Sequence, residues 1–277
     1  MAPLILGGIV AAFPWKSRAK ALLVSSAIVL ILSTLGRIGP GAQYAKDHQA
    51  LVQARRDLGR TMQQLADGGN IDTQNIPSAN DTGNSSDAQE ARMLREVTAL
   101  IVETEQKITE NTHKLQALHL GQATSPEPLV SAEEVHNNRA SLQKAAELIA
   151  DDRALVDSYM QKVSSFIDRL PSDRREMERK EFDESYRSNF RVFNARFDNT
   201  KVLIERMGQV LIMAQQNLGR WKLKDGKFLV RPGQLQELNR LFADIAACRE
   251  EDKRLGLEAQ NLSNTLRDHA QALIRAR

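Results

Sequence analysis

Cys248 is the only cysteine in the chain. An intramolecular disulfide is therefore impossible, and zinc ribbons and Cys-x-x-Cys redox motifs are excluded with it. On a helix such a lone thiol reads as a small seam residue. Aromatic residues make up only 5% of the sequence, and 277 positions hold just 15 glycines and eight prolines. That scarcity argues against a turn-rich sandwich or barrel and suits long helices. No glycine-rich phosphate loop and no nucleophile elbow occurs, and Ser, His and Asp stand as isolated members of helical stretches. The chain offers no catalytic residue and no cofactor or metal site, and it is not expected to be an enzyme.

An excess of one charge is also missing. Four of the 38 basic residues, Lys16, Arg18, Lys20 and Arg37, fall within the first 40 positions, where there is no acid. The remainder holds 34 basic against 35 acidic residues, which is close to neutral. Nucleic acid needs a basic footprint, so it is not an expected partner.

What is present begins with residues 21–35, ALLVSSAIVLILSTL, a run without charge. A bilayer span needs roughly 20 apolar residues, about 17 at the least. Residues 19–38 meet this if Lys20 and Arg37 snorkel to the two interfaces, with the anchor itself at 21–38. The basic cluster precedes the run, so the positive-inside rule places the N-terminus in the cytoplasm and the remainder in the periplasm or outside. A cleaved signal peptide has the same order of regions, but GRIGPGAQYA after the run lacks a clean small-x-small site. The run is thus read as a retained signal anchor. Residues 1–20 form a short apolar and basic segment, and MAPLILGGIVAAFPW is too short to span.

Helical spacing dominates the rest. Leu51, Leu58, Met62 and Leu65 recur within a membrane-proximal helix over 42–66, with Arg55 as a polar interruption and Gly68-Gly69 as the stop. Residues 67–88 are Asn, Asp, Ser, Thr and Gly, the composition of a flexible linker. Asp87-x-x-Glu90 then reads as a capping box opening a bundle over 89–277, and Ser131-x-x-Glu134 as a second one. Heptads run through Leu94, Ile101, Ile108 and Leu115, through Val135, Leu142, Ile149 and Val156, and through Phe190, Phe197, Ile204 and Leu211. The last helix, opened by Pro232, carries Leu238, Ile245, Asp252 and Ala259 in one row and Leu241, Cys248 and Leu255 in the other.

Between the last two helices the period changes. Asp225-Gly226 sits between two runs of four, 221–224 and 227–230, which predicts a β-hairpin over 221–230. Pairing across that turn puts Trp221, Leu223, Phe228 and Val230 on one apolar face. An isolated hairpin is marginal, so this face must pack on the bundle or on a partner, and these four are the candidate interaction residues.

Glu110-x-x-His113 and Glu133-x-x-His136 share the spacing of di-iron bundles. With Ile108, Asn111 and Val135 on the seams, however, these four residues project sideways, and no metal site is expected.

The expected fold class is all-α: a long-helix antiparallel coiled-coil-like bundle with one small β-hairpin, preceded by an N-terminal transmembrane helix. The outline resembles the extracytoplasmic bundles of bacterial sensors and the anchored coiled-coil subunits of envelope assemblies. The expected function is that of a single-pass, membrane-anchored structural or protein-interaction component of the cell envelope, its heptad helices binding a protein partner or a second copy. The alternative is an extracytoplasmic ligand-sensing bundle that signals through a partner.

Overall fold

The computed structural model describes residues 2–4, 42–67, 85–169, 172–224 and 227–275. The expected span at 21–38 and most of the expected linker lie outside these residues. No described helix is long and apolar enough to cross a membrane.

The chain is mainly helical. Strand β1 (Ala2–Leu4) is followed by α1 (Ala42–Ala66), α2 (Ser86–Ala117), a single 3-10 turn (Leu120–Gln122) and the short α3 (Pro126–Leu129). Then come α4 (Ala132–Asp168), α5 (Ser172–Gln216), β2 (Lys222–Lys224), β3 (Lys227–Val230) and α6 (Pro232–Arg275). At 45 residues, α5 is about 68 Å long.

Local chemistry sets the helix ends. Ser85 caps α2, its Oγ accepting from Ala88 N at 3.1 Å. The helix therefore starts at Ser86, and Asp87, the expected cap, stands inside its first turn. Ser131 caps α4 as expected, accepting from Glu134 N at 3.3 Å. Between α2 and α3, His119 takes the left-handed conformation at φ 48° and ends the helical run. Pro126 starts α3 and Pro232 starts α6, where a missing N–H costs nothing.

Two compact units divide the described helices. The first holds Glu110–Arg153 and Asn194–Leu255, together with β1. In it, Arg139 pairs with Gln215, while Arg153 lies over the Phe197 ring at 5.7 Å. Numbers rise on α4 as they fall on α5, so the two run antiparallel. The α5–α6 pair is antiparallel too: Asn199 donates to Cys248 O at 2.8 Å, and Arg206 Nε lies 3.1 Å from Asp244. The core joins the heptad residues Val135, Leu142, Ile149, Ile204, Leu211, Leu238 and Ile245 to Trp221, Phe228 and Val230 of the hairpin region.

The second unit holds α1, α2 up to Thr109, Ala154–Phe193 and the α6 segment from Gly256. Leu51, Leu58, Met62 and Leu65 of α1 are buried, as are Leu94, Val97 and Ile101 of α2 and Val156, Tyr159 and Val163 of α4. Helix α1 runs parallel to α2: Asp47 bonds Ser85, His48 lies 3.3 Å from Asp87, and Arg55 lies 2.7 Å from Glu90. It runs antiparallel to α6. Gly59 meets Ala270, Leu273 and Ile274, while Ser263 and Arg267 reach Ala66.

The sheet has order β1-β3-β2 and is antiparallel throughout. The hairpin stands where the Asp-Gly signal put it, with Leu223 opposite Phe228. The third strand, β1, carries no local signal in the sequence.

Candidate functional site

Four polar groups are enclosed in the first unit, contributed by one long helix each. Asn111 lies in the α2 heptad row and Asp252 in the α6 row, and both are buried. Asn111 Nδ2 donates to Asp152 Oδ1 at 2.8 Å, tying α2 to α4. Arg196 of α5 reaches Asp252 Oδ1 with Nη2 at 3.4 Å. That contact is long for a charge-assisted bond.

Burial governs their protonation. It pushes the Asp152 carboxyl up to about 6; the Asn111 bond opposes this and Asp151 adds to it. Burial also lowers the Arg196 guanidinium from its ordinary value, against the pull of Asp252. Arg196 Nε and Nη1 are buried with no hydrogen-bond partner among the described residues. An ionised guanidinium in that state is a demanding neighbour, since buried N–H groups are normally paired. The sequence reading missed Arg196. The available signal was its place at three- and four-residue spacing between Phe193 and Thr200, both of which are buried.

The hairpin region forms the second cluster. Trp221, Phe228 and Val230 are 2%, 1% and 0% exposed within the first unit, and Leu223 is 36% exposed. The Trp221 and Phe228 rings meet edge to face at 5.4 Å. Trp221 Nε1 donates to Gln234 Oε1 at 2.9 Å, and Gln234 Nε2 donates to Asn217 Oδ1 at 2.8 Å. The apolar face thus packs on its own bundle, the first of the two supports the sequence allowed. Of the four candidate interaction residues, only Leu223 stands at the surface.

Glu110, His113, Glu133 and His136 are all exposed. Glu110 lies 2.9 Å from Lys114 on its own helix. The structure does not bring them together in an inward cluster, and no group of three or more metal-ligating side chains occurs among the described residues. Cys248 is buried, and that burial, with Asp244 adding to it and Arg206 opposing, raises its thiol above the ordinary range. A protonated thiol is a poor nucleophile.

Comparison with known proteins finds no matching family, no similar curated protein and no similar solved structure.

Proposed function

We propose that this chain is a membrane-anchored helical-bundle protein acting as a structural or protein-interaction component of the cell envelope. One observation carries the reading: the uncharged run at 21–35, bracketed by Lys16, Arg18 and Lys20 on one side and Arg37 on the other. Its length suits a span and its flanks suit an interface. The packed coiled-coil-like helices that follow suit a rigid element rather than a catalyst. The heptad rows are largely filled from within the chain, so a partner protein would meet exposed faces, Leu223 among them.

Labelling tests the anchor and its orientation. Ser158 is exposed on α4, so Ser158→Cys in a Cys248→Ser background presents one accessible thiol. Reaction with a membrane-impermeant reagent in intact cells is expected. Reaction only after lysis would place the bundle in the cytoplasm, and release of the chain by alkaline carbonate would remove the anchor altogether.

Arg196 favours a second reading, the ligand-sensing bundle. Its two unpartnered buried donors suit a carboxylate or phosphate admitted between the helices. Thermal shift against small dicarboxylates and phosphate tests this. A stabilisation that Arg196→Gln abolishes supports it, and no shift with any of them removes it.

A further inference from the structure

Strand β1 pairs with β3 through Ala2↔Val230, Pro3↔Leu229 and Leu4↔Phe228. Main-chain pairing holds strands about 4.8 Å apart, so both must lie on one side of any membrane. Between Leu4 and Ala42 lie positions 5–41. Two helical crossings need roughly 20 apolar residues each. Only one run qualifies, because 5–15 is too short and Lys16, Arg18 and Lys20 follow it. The chain between β1 and α1 therefore crosses a membrane once or not at all. A single crossing puts β1 and β3 on opposite sides.

We propose that docking of β1 on β3 and insertion of 21–38 into a membrane are alternative states of this chain, β1 serving as a strap that holds the N-terminus to the sheet until insertion. This rests on the anchor reading above.

The strap is built to release. Among the described residues it has three positions and one neighbouring strand. Lys224↔Lys227 closes the hairpin across a two-residue connection, so that pair is the hydrogen-bonded one, and pairs alternate from there. Phe228 and Val230 then turn their N–H and C=O groups toward β1, and Leu229 turns its own toward β2. Pro3, which has no N–H to give, sits opposite Leu229, where none is asked for. Only Ala2 and Leu4 are left to bond β3. A few main-chain bonds at a sheet edge cannot hold back an uncharged run that has a bilayer available.

Insertion leaves the Phe228 and Val230 main-chain groups facing an open edge.

The test uses the full chain with Pro3→Cys, Leu229→Cys and Cys248→Ser. Opposed positions in an antiparallel pair lie within disulfide reach. The control replaces Leu229→Cys by Lys222→Cys, one strand further away and beyond that reach. Each is made by cell-free synthesis with a mild oxidant, with and without inverted bacterial inner-membrane vesicles. The expected disulfide forms in the 3–229 pair without vesicles, not in the control, and falls at least tenfold in chains that resist carbonate extraction from vesicles. An undiminished disulfide in the resistant chains, or none without vesicles, overturns the proposal and leaves the anchor standing. A complete absence of resistant chains overturns both.

Discussion

Burial moves the Asp152 carboxyl toward neutral pH. Folded, it keeps its proton up to about pH 6; unfolded, it releases it near 3.8. Between those values the native state holds more protons, so stability falls as pH rises from about 4 to about 6 and then levels. Asp152→Asn preserves a hydrogen-bonding partner for Asn111 and removes the titration. Thermal denaturation across this window should show a flatter profile for the variant than for the parent, and an unchanged slope would assign the effect elsewhere. The Arg55–Glu90 pair poses the complementary case, two buried charges 2.7 Å apart. Arg55→Met alone takes this cation away from a buried carboxylate and should cost about 3–5 kcal/mol. The double variant Arg55→Met, Glu90→Leu should recover most of that loss, as urea denaturation would show.

At the scale of elements, the hairpin and the α1–α6 contact each hinge on one side chain. Trp221→Ser removes a ring packed on Phe228 and a bond to Gln234, and should destabilise the first unit by about 3–5 kcal/mol. Leu223→Ser, at the surface, should stay within about 0.5 kcal/mol. Equal losses from the two would contradict the burial described above. Gly59 is the one place where α1 needs no side chain. A Cβ there would stand 3.0 Å from Ala270 O and 3.1 Å from Leu273 Cβ, both rigid neighbours. Gly59→Ala should therefore lower the melting temperature, even though alanine favours helix by about 1 kcal/mol.

Much of this level was legible in advance. Heptad rows, Ser131, Pro232 and Asp225-Gly226 act through neighbours a few residues away, and periodicity reads such signals directly. Arg55 broke an apolar row without showing that Glu90, 35 positions on, would answer it. Arg196 stands among heptad residues, but nothing near it in sequence announces Asp252, 56 positions on. The β1 pairing and the parallel setting of α1 on α2 depend on partners that no local pattern names.

Over the whole molecule, the C-terminal part of α6 secures a helix made much earlier. Arg267 donates to Ala66 O at 3.3 Å and to Asp67 Oδ1 at 2.8 Å, and Ser263 reaches the same carbonyl. Two of these bonds satisfy the Ala66 carbonyl at the end of α1, which has no basic residue in its own last turn. A chain ending at residue 262 should expose residues 42–66 to limited proteolysis while Glu110–Arg153 and Asn194–Leu255 stay protected. Uniform loss of protection would mean that the two units unfold as one.

That fastening also has a timetable. It spans 197 to 201 positions of sequence. A ribosome working at roughly 5–20 residues per second needs on the order of 10–40 s to cover that distance. Throughout that interval α1 exists without the helix that ends it and covers Gly59. The segment beside the proposed anchor is thus made long before it is secured, and in the nascent chain it stands to gain from a holding chaperone.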